Sequence, residues 1–172
     1  MALLERLLRP RRTPSPPTLA AIYLSADAGR PMYAVDAVEA IVRTGLRGDR
    51  YSQRAGFWQA TDACEVTLIS RDDLRRAARG QPATIRDKLE AGHHRRNLVV
   101  DGIATRALEG KSFRIGTAVF GWHKPRPPCG HLDRIEGEGM CKALGRNSGV
   151  CLRVLEGGTL RVGDAIELLS DR

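Results

Sequence analysis

Cys129 is the side chain of this sequence that best suits nucleophilic or metal-binding chemistry. It lies in the segment KPRPPCGH, residues 124–131, where three prolines disfavour a helix and favour a loop. Lys124, Arg126 and His131 are cations or potential cations, and such neighbours favour the thiolate form of a cysteine. A thiolate could attack a sulfur donor and carry a persulfide, or it could bind a soft metal directly. The alternative is an idle or buried cysteine.

The other three cysteines have weaker claims to chemistry. Cys64 and Cys151 precede or begin apolar runs, so we expect them to pack in the interior. Cys141 could be a resolving thiol or an ordinary residue of a short helical turn. The lack of a C-x-x-C pair indicates reduced thiols rather than a disulfide framework. A zinc site from Cys129, His131 and the two cysteines that follow would have unusual ligand spacings, and no zinc is expected.

A second group with binding potential is Arg95, Arg96 and Asn97. Two guanidinium groups and an amide suit a phosphate and a polar ring. Residues of an extended chain alternate between its two faces, so Arg95 and Asn97 are the preferred pair. A solvated basic turn before a strand is the alternative. Asp49 and Arg50 could orient a site, or they could form a plain Gly-Asp turn with an exposed arginine.

Composition narrows the classes of partner. The 172 residues suffice for one packed core, and 28 Lys and Arg against 20 Asp and Glu give a net charge of +8. This charge favours anionic partners. Aromatic residues make up only 5% of the chain, which disfavours nucleic-acid binding. No run approaches the roughly 20 apolar residues of a membrane span, and we expect a cytoplasmic protein without a membrane partner.

Short strands dominate the pattern that must position these groups. Strand-like content is found at AIYLSA (21–26), VEAIVRTG (38–45), CEVTLIS (64–70), NLVV (97–100), SFRIGTAVF (112–120) and TLRVGDAIE (159–167). The last two runs resemble each other, and each predicts a strand, a glycine turn and a second strand. Such units indicate a curved sheet or a partly closed barrel.

Helices are expected only between the strands. The capping sequence Ser70–Asp73 predicts a helix over residues 74–79, and a second helix is expected over residues 84–91. His93 and His94 follow that second helix and are expected at the surface. The whole pattern predicts a flexible, basic, proline-containing tail over residues 1–19 and a single domain over residues 20–172.

Six short motifs follow one another along the chain. They are GLRGDRY (45–51), VTLIS (66–70), RRNLVV (95–100), LEGKSFRIG (108–116), RPPCGHL (126–132) and RVLEGGTLRVGD (153–164). In this order they resemble the MOSC family, the domain at the C-terminus of molybdenum-cofactor sulfurases that also occurs as stand-alone proteins.

The resemblance implies a fold, a cysteine and a cofactor. The fold is mainly β (α+β), a distorted and partly closed barrel with a few short peripheral helices. The family cysteine corresponds to Cys129, which would be the catalytic residue and, where molybdenum is bound, its ligand. The cofactor is the molybdenum cofactor, molybdopterin. The residues assigned to it are Asp49, Arg50, Arg95, Arg96, Asn97 and Arg126.

Three functions remain open at this point. The first is a sulfur carrier in which Cys129 receives sulfur from a separate cysteine desulfurase or persulfide donor and delivers it to a molybdenum or metal–sulfur acceptor. The second is a molybdenum oxidoreductase that reduces N-hydroxylated compounds. Relatives of that type carry an additional N-terminal β-barrel region, which makes this function less favoured. The third is a non-catalytic basic module that binds a cofactor or nucleic acid.

Overall fold

The computed structural model describes residues 15–56 and 64–170 of the chain. The expected tail over residues 1–19 lies mostly outside the described residues. The first strand, β1, spans Thr18–Leu24, and Leu19 within it is fully buried. The first strand therefore starts two residues before the predicted beginning of the domain.

Eleven strands account for most of the described secondary structure. After β1 they are β2 (Tyr33–Val35), β3 (Ala37–Ile41), β4 (Gly45–Leu46), β5 (Val66–Ser70), β6 (Leu98–Asp101), β7 (Ser112–Ile115), β8 (Ala118–Pro125), β9 (Val150–Glu156), β10 (Gly158–Arg161) and β11 (Ile166–Leu168). The expected mainly β architecture is confirmed.

The helices within the described part of the chain are short. They are α1 (Arg71–Ala78), α2 (Ala83–Glu90), α3 (Gly130–Glu136) and α4 (Met140–Leu144), with one turn of 3-10 helix at Thr105–Leu108. The predicted start of α1 is confirmed, because the Ser70 hydroxyl accepts a hydrogen bond from the Asp73 amide at 3.0 Å. None of the described helices has the length and apolar character needed to cross a membrane.

The strands form two sheets that together make a distorted, partly closed barrel. Eight strands lie in the order β11-β7-β8-β9-β5-β6-β1-β2, and β10, β3 and β4 form a second sheet. The larger sheet curves back on itself: Thr18 bridges to Ala165, and the Leu19 amide donates to the Asp164 carbonyl at 2.8 Å. These contacts tie β1 to the segment that leads into β11.

Side-chain alternation along β5 and β6 fills two apolar clusters. Leu68, Leu98 and Val100 enter the barrel interior. Ile69 and Val99 face the other way and pack beneath all four helices. Since both faces of β5 are covered, every residue of this strand is buried. The helices therefore rest on β5 and β6.

Three of the predicted strand segments have different outcomes in the structure. Residues 38–45 do not form one strand, because Arg43 adopts a left-handed φ of 58° and turns the chain between β3 and β4. The predicted strand, turn and strand over residues 112–120 is confirmed as the paired hairpin of β7 and β8. The similar run at 159–167 also gives two strands, but β10 pairs with β3 and β11 pairs with β7.

Candidate functional site

Cys129 lies between strand β8 and helix α3, at the N-cap position of that helix. Its side chain is half-buried. β8 continues through Lys124 and Pro125, which pair with β9, so the strand ends later than the sequence indicated. Helix α3 then begins at Gly130, although the prolines before it had favoured only a loop. The loop that displays Cys129 is thus four residues long and is held at both ends.

A small cleft with a volume of about 40 Å³ opens beside Cys129. Four arginines line it together with Cys129 and His131: Arg50, Arg95, Arg96 and Arg126. They come from three separate parts of the chain, namely the segment after β4, the segment before β6 and the loop after β8. Within residues 15–56 and 64–170, no Asp or Glu side chain belongs to this lining. The fold therefore gathers all four predicted arginines around the predicted cysteine.

Asp49 and Arg50 form a buried ion pair at one wall of the cleft. Asp49 Oδ1 accepts hydrogen bonds from the Ser25 amide at 3.0 Å and from Arg50 Nη1 at 3.2 Å. Its Oδ2 accepts from the Tyr51 amide at 3.2 Å. Arg50 is only 4% exposed, so a plain turn with an exposed arginine is the wrong interpretation. Asp49 lies behind the cleft lining and positions Arg50.

Arg95 is fixed by a carboxylate and by backbone carbonyls. Its Nη1 donates to the Arg30 carbonyl at 2.8 Å and to Glu136 Oε1 at 3.1 Å. Burial lowers the pKa of this guanidinium. Its φ of 60° is left-handed, so the chain is not extended here. The alternation that paired Arg95 with Asn97 on one face is therefore wrong.

Arg96 joins three loops through carbonyl oxygens. It donates to the carbonyls of Ser148, His94 and Arg126, the last two at 3.1 and 3.3 Å. Burial, and then repulsion from Arg126, lowers the pKa of Arg96 to about 10. Arg96 therefore carries a buried positive charge that no carboxylate of the described residues pairs with.

Arg126 is the arginine nearest to Cys129 in sequence and the least engaged of the four. Its Nη2 donates to the Tyr51 hydroxyl at 3.3 Å. Its Nε is buried and has no hydrogen-bond partner among the described residues. A buried N–H without an acceptor costs free energy. An acceptor atom of a ligand bound in the cleft would remove this cost.

Asn97 is separate from the cleft. Its Oδ1 accepts from the Thr67 hydroxyl at 2.8 Å and from the Thr67 amide at 3.1 Å, and its Nδ2 donates to the Tyr23 carbonyl at 3.1 Å. The residue is fully buried between β1 and β5. Its observed contacts make Asn97 a connector of strands rather than a cofactor ligand, which corrects the role expected from the sequence.

His94 is buried, against the surface position expected from the sequence. It is 1% exposed, and its ring packs edge-on against Tyr23 with centroids 5.6 Å apart. Its Nδ1 accepts a hydrogen bond from the Arg96 amide at 3.0 Å. Burial, and then repulsion from Arg96, lowers the pKa of His94 to about 3. The ring is therefore neutral and supports the backbone of the cleft wall.

Cys141 contacts the backbone of Cys129. Its thiol, in helix α4, donates to the Cys129 carbonyl oxygen at 2.8 Å. Burial, followed by a hydrogen bond with Asp133, raises the pKa of the Cys141 thiol. Cys64 and Cys151 are buried, as predicted. No cluster of three or more His, Cys, Asp or Glu side chains in the described ranges could hold a metal ion.

A larger cavity of about 420 Å³ lies between α1, α2 and β1. Its lining includes Tyr23, Arg71, Arg75 and Glu90 but, in the part of the chain that the structure describes, no cysteine, serine or threonine. Its wall therefore offers no nucleophile comparable with Cys129. The smaller cleft, which contains Cys129, is the better candidate for a reactive site.

Two residues of the site were missed by sequence reasoning. Tyr51 stacks on Arg50, with 4.5 Å between the guanidinium carbon and the ring centroid. Its place in GLRGDRY, directly after Arg50, was an available signal. Glu136 pairs with Arg95 from 41 residues away. No local pattern could have indicated that pairing.

Comparison with known families and structures agrees with this architecture. The family model of the MOSC domain matches residues 58–167. No curated protein matches the chain.

Three solved structures of bacterial proteins have a similar fold. YuaD from Bacillus subtilis is 15% identical with a TM-score of 0.71, over 91% of this chain and 97% of that one. YiiM from Escherichia coli is 21% identical with a TM-score of 0.62, and the match covers 91% of this chain and 70% of the YiiM chain. YiiM from Geobacillus stearothermophilus is 18% identical with a TM-score of 0.60, and the match covers 90% of this chain and 76% of that YiiM chain. At these identities the likeness shows a common fold.

Proposed function

Because the chain belongs to the MOSC domain family, we propose that it carries sulfane sulfur as a persulfide on Cys129 for delivery to a molybdenum or metal–sulfur centre. The observation that carries this proposal is the half-buried Cys129 thiol beside a cleft lined by four arginines. Nearby cations favour the negatively charged form of a thiol, and that form is the nucleophile. Partial exposure lets a donor and an acceptor reach the sulfur in turn.

The loading step is an exchange between a thiolate and a donor persulfide, R–S–SH. The Cys129 thiolate attacks the terminal sulfur of the donor, and a new S–S bond forms. The S–S bond of the donor breaks, and R–S⁻ leaves with the electron pair while the proton stays on the transferred sulfur. No external oxidant is consumed. The donor in this proposal is a separate cysteine desulfurase that carries its own persulfide, or a small persulfide.

The other three cysteines are less suited than Cys129 to carry the sulfur. Cys141 is held close to Cys129, but its raised thiol pKa keeps it in the neutral form. Cys64 and Cys151 are buried and out of reach of a protein donor. Of the four cysteines, Cys129 thus combines partial exposure with the cationic cleft.

Intact-mass measurement after incubation with an active cysteine desulfurase and cysteine tests the proposal. The wild-type chain and the matched control Cys141→Ser should each gain the mass of one sulfur atom, and a reductant should remove it. Cys129→Ser should gain none. Equal sulfur addition to Cys129→Ser would overturn the proposal.

Binding of the molybdenum cofactor is a second candidate function, favoured by the unpartnered buried Nε of Arg126 beside Cys129. The residues suit the metal end of such a group, because a thiolate is a soft metal ligand and guanidinium groups neutralise anionic oxygen or sulfur atoms. The cleft of about 40 Å³ is too small to enclose the pterin. Cys129 would hold the metal, and Arg126 would donate to an anionic atom near it. When bound, the cofactor would supply redox chemistry of the kind used to reduce N-hydroxylated compounds.

Metal analysis and pterin fluorescence of protein made in a cofactor-producing host test this second function. Wild type and Cys141→Ser should contain molybdenum and pterin, and Cys129→Ser should lose the metal. Purified wild type without molybdenum and without pterin fluorescence would exclude it and would leave the sulfur-carrier proposal in place.

A further inference from the structure

The cleft beside Cys129 holds more positive charge than its neighbouring carboxylates balance. Asp49 and Glu136 each form an ion pair with one of the four lining arginines. The other two, Arg96 and Arg126, have no ion pair within the described part of the chain. Among the residues that the structure describes, these two positive charges therefore have no carboxylate partner.

The charge of Arg96 is held at an energetic disadvantage, whereas the pKa of Arg126 is raised despite its burial, because favourable interactions, led by those with Tyr51, together outweigh the desolvation. Arg96 is buried, and its lowered pKa of about 10 reflects burial and repulsion from Arg126. Arg126 in addition keeps its Nε buried without an acceptor. A buried cation without a counter-ion is destabilising, and a bound anion relieves the cost. The charge of the cleft therefore favours an anionic ligand.

The size of the cleft limits that ligand to a few heavy atoms. Its volume is about 40 Å³, whereas pockets for drug-sized ligands and cofactors span roughly 300–1,000 Å³. On this measure of cavity volume, one water molecule needs roughly 10–15 Å³. A compact inorganic anion suits this space far better than a nucleotide or a peptide.

We propose that Cys129 takes its sulfur from thiosulfate, a compact dianion whose outer atom is sulfane sulfur. The inference rests on the proposed function, because it requires Cys129 to carry a persulfide. Arg126 would donate to an oxygen of the SO₃ group, and Arg96 would neutralise the second negative charge. The sulfane sulfur would then meet the Cys129 thiol at the same cleft.

The transfer balances without an added oxidant or reductant. The Cys129 thiolate attacks the outer sulfur of thiosulfate and forms a new S–S bond. The S–S bond of thiosulfate breaks, and its electron pair leaves on sulfite. One thiolate and one thiosulfate dianion thus give one persulfide anion and one sulfite dianion.

The test compares two donors on the full chain. Thiosulfate carries the oxyanion group, and hydrogen disulfide delivers sulfane sulfur without it. Both should add one sulfur atom to Cys129 by intact mass, and thiosulfate should release sulfite in equal amount. Sulfate, an oxyanion without sulfane sulfur, should slow loading by thiosulfate and leave loading by hydrogen disulfide unchanged.

Arg126→Gln separates anion recognition from cysteine reactivity. Loss of a charge-assisted hydrogen bond should reduce the rate constant for thiosulfate loading by about 10-fold or more. Loading by hydrogen disulfide should change less than about 2-fold, and a circular dichroism spectrum like that of the wild type should show that the variant is folded. Arg146→Gln removes an exposed charge outside the cleft and should load from both donors as the wild type does.

The outcomes distinguish the two proposals. Loading of Cys129 by hydrogen disulfide but not by thiosulfate would overturn the thiosulfate inference and leave the sulfur carrier intact. Thiosulfate loading that is insensitive both to Arg126→Gln and to sulfate would also overturn it. Failure of hydrogen disulfide and of the desulfurase to load Cys129 would overturn the sulfur carrier itself.

Discussion

Arg50 Nη2 donates a hydrogen bond to the carbonyl oxygen of Arg95 at 3.0 Å. The contact joins two segments that are 45 residues apart in sequence and that each supply an arginine to the cleft beside Cys129. Asp49, which is fully buried, holds the guanidinium that makes this contact. The shape of the cleft therefore depends on a buried ion pair behind its wall.

Asp49→Ala should lower the free energy of unfolding by about 3–5 kcal/mol, because Arg50 would remain buried without its carboxylate. Urea denaturation followed by circular dichroism measures the change. Asp72→Ala is the control, since its ion pair with Arg75 is exposed and is worth about 1 kcal/mol or less. Similar losses for the two variants would contradict a structural role for the buried pair.

Asn97→Ala should destabilise the domain by about 2–4 kcal/mol, because the Thr67 amide, the Thr67 hydroxyl and the Tyr23 carbonyl each lose the hydrogen bond that they make with the Asn97 side chain. The Thr67 hydroxyl would keep only its bond from the backbone amide of residue 97. The folded fraction should still load sulfur on Cys129 at the wild-type rate, since Asn97 lies apart from the cleft. Denaturation and intact mass together check both parts. A stable variant that no longer loads sulfur would instead place Asn97 in the site.

Gly149→Ala should destabilise the protein more than Gly163→Ala, by about 1–3 kcal/mol. The two glycines have similar left-handed φ angles of 102° and 97°, so the cost of the backbone conformation is matched. A Cβ at Gly149 would lie 2.5 Å from the Leu68 carbonyl and 3.2 Å from Arg96 Nε, whereas nothing lies within 4 Å at Gly163. Equal midpoints of urea denaturation would contradict the close packing behind Arg96.

His94 should make the domain less stable as the pH falls from about 6.5 towards 3. Its pKa in the fold is about 3, whereas an unfolded histidine titrates near 6.5. Between these values only the unfolded state binds the proton. The free energy of unfolding therefore falls by about 1.4 kcal/mol per pH unit from this group.

The variant His94→Asn isolates that contribution, because asparagine keeps an acceptor for the Arg96 amide and does not titrate. Urea denaturation between pH 4 and 7 should give a shallower decline for the variant than for the wild type. Parallel pH profiles would show that His94 is protonated in the fold and would contradict its burial as a neutral ring.

Local signals in the sequence predicted the local structure well. Ser70 and Asp73 indicated the helix cap that the structure contains, and the run from Ser112 to Phe120 indicated its hairpin. Both features depend on residues close together in the chain. The prediction that Arg95 and Asn97 share one face was wrong, because it assumed an extended chain and Arg95 has a left-handed φ.

The candidate site was only partly predictable, because it is assembled from distant segments. Sequence singled out Cys129 and the four arginines, and the fold brings these together. It could not show that Glu136 pairs with Arg95 or that Asn97 connects two strands. Those roles depend on which strands become neighbours, and short motifs carry no information about that.

The most direct test of a sulfur carrier is to locate the added sulfur on the chain. After loading by a cysteine desulfurase, persulfides are alkylated, the protein is digested, and each cysteine peptide is sequenced by tandem mass spectrometry. We predict one additional sulfur on the peptide that contains Cys129 and none on those with Cys64, Cys141 or Cys151. Additional sulfur on Cys141, or on no cysteine while the desulfurase is active, would contradict the account.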